Sequence, residues 1–309
     1  MPASVESGPD HRRAAVGRSA ADTGSFMAAP LAEAFDDRES SLADAGLRGG
    51  GCFARALPLD ATCASAARTA LREAVAGLGL PGDLVHDGVT MASELAANTL
   101  HAQGNVEFSG GSQRPVSGFP EIWVYLRGTG AKCELVCKVF DSQSGWQNGN
   151  LPDVKLRTAE GVSGRGLQVV EGLSAGEWGA HLTRGRLGSW KVSGKAVWFA
   201  LRVPPACEVA RFGRPVLGQA QAVDELESML NSRGLGQRLV RVDEPGTGMS
   251  VLSVSRDLTI WCRSGTASWR AADRGYQNLP LDDLVDAAEH IVSTHEELRA
   301  AEAVYPWSY

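Results

Sequence analysis

Glu94 and Asn98 stand four residues apart in MASELAANTLHA, residues 91–102, and His101 follows three residues beyond Asn98. On a helix these three side chains share one face. An isolated E-x-x-x-N is also what a solvated helix face presents, so the pair gains meaning only from residues farther along the chain. Asp141 ends an apolar run in VFDSQSG, where small polar residues follow the acid. Farther on, GVSGRGL (161–167) brings Gly164 and Gly166 to the start of a helical pattern. A Gly-rich helix entry leaves backbone N–H groups free for phosphate oxygens and adds the favourable end of the helix dipole. Taken alone, that G-x-G is equally a turn or a cap. Helix, strand end and helix start in this order make phosphate chemistry a stronger reading than any one of them does.

The elements that must position these residues are legible in the hydrophobic spacing. Ala67, Ala70, Leu71, Ala74, Val75 and Leu78 recur with helical period behind Asp60, a suitable N-cap, and Gly77, Gly79 and Pro81 end that helix. A second helix is expected over about 82–102, with Leu84, Gly88, Met91, Ala92, Leu95 and Thr99 inward. The Gly, Ser and Pro content of 104–120 marks a loop. Strands are expected at 121–127 and 132–140, the second delivering Asp141, with Cys133 and Cys137 on one strand face as small apolar filler. A short helix opens near Gly166 with Leu167, Val169, Val170 and Leu173 buried, and further strands lie within 177–183, 187–193 and 196–203. Beyond Pro204-Pro205 the pattern changes to a helix (223–236), antiparallel strands over 237–244, 249–263 and 266–271, and a long amphipathic helix over 279–298. Leu284, Ala287, Ala288, Ile291 and Val292 of that helix point inward. Trp261, Trp269 and Tyr276 read as strand-face core or cross-strand pairs, with a ligand-binding aromatic patch as the alternative.

This order of boxes resembles the GHKL ATPase superfamily, which holds gyrase, the bacterial histidine kinases and the MutL-type ATPases. Within it the chain is similar to the anti-sigma-factor serine kinases. SELAANTLHA looks like the family's N box, FDSQSG like its first glycine box, GVSGRGLQVVEGLS like its second, and GKAVWFALRVP like its closing strand. The resemblance implies an α+β fold: a two-layer α/β sandwich of Bergerat type with a mixed, mainly antiparallel sheet, here followed by a small C-terminal α+β domain. It implies ATP and Mg2+ as cofactors. Glu94 would be the general base, and Asn98 the Mg2+ ligand. Asp141 would be the acceptor for the adenine amino group, with Gly145 in the same box. Gly164, Arg165, Gly166 and Leu167 would line the phosphate pocket, and His101 either touches nucleotide or only packs. The family's first box is D-x-G-x-G, whereas Gln143 stands at its first glycine here, with a side chain against the adenine edge. The implied activity is serine/threonine phosphorylation of an anti-sigma-antagonist protein, together with sequestration of a sigma factor. The alternative is a non-catalytic, nucleotide-sensing module that sequesters its partner. A homodimer is compatible with either.

Bulk properties narrow the classes. Of 309 residues, 43% are hydrophobic and 21% charged, and the net charge is −6 with no Lys/Arg run. That argues against a partner held through nucleic-acid phosphates. No apolar stretch is long enough for a membrane span, and the N-terminus lacks the apolar core of a secretory signal. The six cysteines show no C-x-x-C and no zinc spacing, which fits a reducing cytoplasm. Residues 1–54 lack periodicity and read as disordered; 55–204 read as the ATP-binding domain, and 206–309 as an α+β appendage beyond a proline linker. No helical hairpin with a phosphoacceptor His precedes the ATPase-like region, which disfavours a sensor histidine kinase.

Overall fold

The computed structural model describes residues 46–107, 118–142, 165–212, 217–271 and 275–304, all within the unit Asp37–Tyr309. CFARA forms β1 (Cys52–Ala56), EIWVYLR forms β2 (Glu121–Arg127) and ELVCKVFD forms β3 (Glu134–Asp141). With β4 (Trp178–Arg184) and β5 (Ser193–Arg202) they make sheet 1, ordered β1-β2-β3-β5-β4. Every pairing in it is antiparallel, where a mixed sheet was expected. For β1 and β2 the cause is the pair of helices between them. α1 (Cys63–Val75) carries the chain back and α2 (Gly82–Glu107) carries it forward again, so β2 enters reversed.

Other boundaries also differ from expectation. β1 lies partly in the stretch read as unstructured; its five residues are half-buried, and pairing with β2 is what makes it a strand. α2 runs to Glu107, so 104–107 of the expected loop are helical. One internal glycine, Gly104, costs a helix only about 1 kcal/mol and does not stop it; residues 108–117 lie outside the described ones. The cap of α1 is Thr62 in place of Asp60, whose carboxylate accepts the Thr62 backbone N–H at 2.8 Å. No strand forms over 187–192. There the chain turns through Gly188 (φ +76°), and the Glu121 carboxylate accepts the backbone N–H groups of Arg186 (2.8 Å) and Leu187 (3.2 Å).

Strand alternation gives sheet 1 two distinct faces. Val124, Cys137, Phe199 and their neighbours face α1 and α2. A Cβ on Gly88 of α2 would sit 3.2 Å from Leu71 of α1 and 3.3 Å from Leu201 of β5, so glycine permits this close approach. α3 (Arg165–Leu173) joins the same layer; Val170 is buried there, whereas Val169, expected inward, is exposed. The opposite, outer face carries Trp123, Tyr125, Lys138, Phe140, His181 and Trp198. Trp123 and Phe140 stack at 5.6 Å.

The chain beyond Pro205 builds sheet 2 from β6 (Val240–Glu244), β7 (Met249–Ser255), β8 (Leu258–Arg263), β9 (Thr266–Ala271) and β10 (Gly275–Pro280), in the order β10-β9-β8-β7-β6. β10 had no sequence signal, since GYQNLP is mostly polar and exposed. A short helix, α4 (Glu208–Phe212), precedes α5 (Gln219–Ser232) and α6 (Leu284–Val304). Trp269 is core and its indole N–H donates to Thr294 of α6 at 3.1 Å, while Trp261 and Tyr276 point outward. The six cysteines are free thiols, five of them buried. No helix among the described residues is long and apolar enough to cross a membrane.

α6 is buried on both sides. Its apolar stripe is the expected one, but its polar stripe is buried too, against the outer face of sheet 1. Glu289 is fully enclosed and paired with Arg186 (2.6 Å), Lys138 (3.4 Å) and Arg233. Tyr125 O–H donates to Asp286 at 2.8 Å, and Arg184 donates to Glu296 at 2.6 Å. Burial alone would raise the Glu289 pKa, but Arg233, Lys138 and Arg186 outweigh it and hold the carboxyl well below its usual range. Burial presses His181 down to about 3, helped by Lys138. Glu296, raised by burial but bonded by His295, Ser193 and Arg184, is held at about 2. Pro204-Pro205 thus marks a change of sheet in the sequence, while in space both sheets share one apolar core through α6.

Candidate functional site

The site residues named from the sequence lie on the helical side of sheet 1. α2 packs over β3, holding Glu94 and Asn98 half-buried near the middle of its length. α3 begins with Arg165 and Gly166 and lies against α2. A Cβ on Gly166 would come 2.7 Å from Glu94 Oε2 and 3.4 Å from Asn98 Nδ2. A side chain there would displace the carboxylate, so glycine lets the helix start approach both groups. Leu167 is half-buried and packs on the core behind this contact, and Arg165 is exposed. The fold therefore brings Glu94, Asn98 and Gly166 together, with Arg165 and Leu167 flanking. The His101 side chain, Gly145 and Gly164 lie outside the described residues, as does Gln143.

Asp141 ends β3 with its side chain buried. Lys195, its register partner on β5, places Nζ 3.0 Å from Asp141 Oδ2. Gly194 precedes that lysine, and a Cβ on it would fall 2.2 Å from the Asp141 carbonyl oxygen. Beside the acid, the Ser142 hydroxyl is buried with no hydrogen-bond partner among the described residues. Sequence reading missed Lys195, Gly194 and Ser142. A lysine inside the otherwise apolar strand GKAVWFALR, preceded by glycine, was the available signal.

Chemically the arrangement offers a carboxylate and a carboxamide under a helix start, and a buried acid with a serine hydroxyl beside it. These fit the polar edge and the phosphates of a nucleotide: the Ser142 hydroxyl is buried without a partner among the described residues, and Gly166 lets the helix start approach Glu94 and Asn98 more closely than a side chain would allow. Among the described residues no group of three His, Cys, Asp or Glu could hold a metal ion. A cation here would be bound by Asn98 together with oxygens of its ligand. Compared with family models, curated proteins and solved structures, the chain has no match.

Proposed function

We propose that the chain binds ATP with Mg2+ where α2, β3 and α3 meet, in a sandwich of the GHKL type, and that it is a serine/threonine protein kinase resembling the anti-sigma-factor kinases. The observation that carries this reading is the close approach of Gly166 to Glu94 and Asn98. It sets the backbone N–H groups of a helix start beside a carboxylate and a carboxamide, a combination suited to phosphate, proton and cation. ATP supplies the phosphoryl group when bound. With ATP bound, Glu94 would take the proton of the attacking protein hydroxyl, Asn98 would hold Mg2+, and Asp141 would accept from the adenine amino group. The partner proteins of this reading are an anti-sigma antagonist as substrate and a sigma factor as sequestered target. The second reading, a nucleotide-sensing module without turnover, is favoured by Gln143 at the first glycine position of the box and by the extra C-terminal region.

Calorimetric titration of the full chain with Mg-ATP tests binding, and transfer from radiolabelled ATP to candidate antagonist proteins separates the two readings. Glu94→Ala is expected to bind nucleotide within a few-fold of wild type and to lose transfer by about 10²-fold or more. No heat and no nucleotide-dependent rise in Tm would refute both readings. Binding without transfer leaves the sensing module.

A further inference from the structure

The outer face of sheet 1 and α6 enclose a cavity of about 310 Å3, on the side of β3 away from Glu94 and Asn98. It lies at the small end of the range for ligand pockets, about 300–1,000 Å3. Tyr125 and Lys138 line it from the strands, Trp198 from β5, and Asp286, Glu289 and His290 from α6.

Two of these groups have hydrogen-bonding capacity that the protein leaves unused. The Asp286 side chain is 9% exposed. Its Oδ1 accepts the Tyr125 O–H at 2.8 Å, with Arg127 farther off at 3.9 Å. Among the described residues its Oδ2 has only His290 Nε2 nearby, at 3.7 Å, beyond hydrogen-bond reach, and burial holds that imidazole toward its neutral form. This carboxylate oxygen is not sealed from solvent, so a ligand cation can reach it from the cavity. The second group is the Trp198 indole N–H, which has no hydrogen-bond partner among the described residues. The Trp198 ring packs on the apolar core and carries the Arg127 guanidinium 5.4 Å from its centroid. Gly179, opposite it on β4, leaves room for the ring, since a Cβ there would come 3.0 Å from Trp198 Cζ2.

Lys138 sets the polarity of the remaining wall. His181 Nδ1 lies 3.0 Å from the Leu182 carbonyl, so Nδ1 carries the proton and Nε2 accepts from Lys138 Nζ at 3.2 Å. The ammonium also reaches Glu289 at 3.4 Å, which Arg186 and Arg233 already neutralise. One cavity therefore presents a carboxylate oxygen open to a cationic donor, an N–H open to an acceptor, a lysine ammonium, and two aromatic side chains. A ligand of one charge sign would satisfy half of this and repel the rest.

We propose that this cavity binds a free α-amino acid, its ammonium on Asp286 Oδ2 and its carboxylate toward the Trp198 N–H and Lys138. The inference stands apart from the nucleotide site, which uses the other face of the sheet. The test is calorimetry and thermal melting of the full chain against each standard amino acid. Each ligand found is then compared with its decarboxylated amine and its deaminated acid. The expected result is a subset of amino acids that bind and raise Tm, with both truncated analogues at least about tenfold weaker. Asp286→Asn, which still accepts from Tyr125, and Trp198→Phe, which keeps the ring, should each weaken binding about tenfold or more. Tm of the unliganded variants, measured alongside, keeps loss of fold distinct from loss of the ligand's partner. Overturning results are the absence of heat and Tm shift for every amino acid, an amine or acid that binds as tightly as its parent, or wild-type affinity in folded Asp286→Asn and Trp198→Phe.

Discussion

At the scale of single residues, the Asp141–Lys195 pair separates structural from functional roles. Both side chains are buried and 3.0 Å apart. Breaking a buried pair from either side costs roughly 3–5 kcal/mol. Asp141→Asn and Lys195→Gln are therefore both expected to lower Tm, and only Asp141→Asn to weaken Mg-ATP binding, by about ten- to a hundredfold. Equal losses of affinity in calorimetry would make Asp141 a scaffold residue. Gly166→Ala makes the converse case. Alanine in place of helical glycine favours the helix by up to about 1 kcal/mol, yet the new Cβ would sit 2.7 Å from the Glu94 carboxylate. The expected variant melts no lower than wild type and transfers phosphate at least about tenfold more slowly. Undiminished transfer would detach Glu94 from the chemistry. Glu94, Asn98 and Gly166 were legible because their spacing is local to two helices. Lys195 was not, because a buried lysine is explained only by its register partner, 54 positions away across β5.

At the scale of elements, α6 shows what periodicity reveals and what it hides. Leu284, Ala287, Ala288, Ile291 and Val292 formed a clear apolar stripe, and all are buried. The other stripe, with Asp286, Glu289 and Glu296, looks like a solvated face until sheet 1 is placed against it. β1 and β10 were hidden for a related reason: short, polar or small-residue strands are specified by their neighbours' hydrogen bonds more than by their own pattern. The buried charges give a pH signature. His181 (about 3) and Glu296 (about 2) lie below their ordinary values of 6.5 and 4.5, and Glu289 is shifted the same way. The unfolded chain therefore binds more protons in acid, so the stability these groups contribute is complete above pH 6.5. It fades as pH falls, first through His181 and then, below 4.5, through the carboxylates. Each such proton lowers stability by about 1.4 kcal/mol per pH unit. Glu121, raised chiefly by burial, opposes the trend. Tm should fall between pH 7 and 5, and His181→Gln, which keeps an acceptor for Lys138, should fall less steeply. Identical slopes would assign the loss to other groups.

At the scale of the whole molecule, the two sheets are expected to melt together. Tyr125 and Trp123 on sheet 1 meet residues beyond Pro205, Tyr125 through Asp286 and Trp123 under the Arg233 guanidinium, and Lys138 and Arg186 find Glu289 there. A chain ending at Pro205 would expose that aromatic face, leave those cations without their acid, and is expected to aggregate or melt without cooperativity. The full chain should give one calorimetric transition. A truncated chain that melts cooperatively within a few degrees of it would restore the picture of an appendage on a linker. Fold class, most helices and the change of pattern after Pro205 could be read from local sequence. The joining of the halves could not, since it depends on contacts such as Tyr125 to Asp286 that span 161 positions.

That span has a consequence for synthesis. β5 ends at Arg202, and the helix that covers the outer face of its sheet ends at Val304. At elongation rates of about 5–20 residues per second, the nascent chain carries a finished but uncovered aromatic sheet for roughly 5–20 s before α6 leaves the ribosome. Slower translation of the stretch between them would lengthen that interval, and the yield of native protein should depend on a chaperone that shields Trp123 and Tyr125 until the last helix arrives.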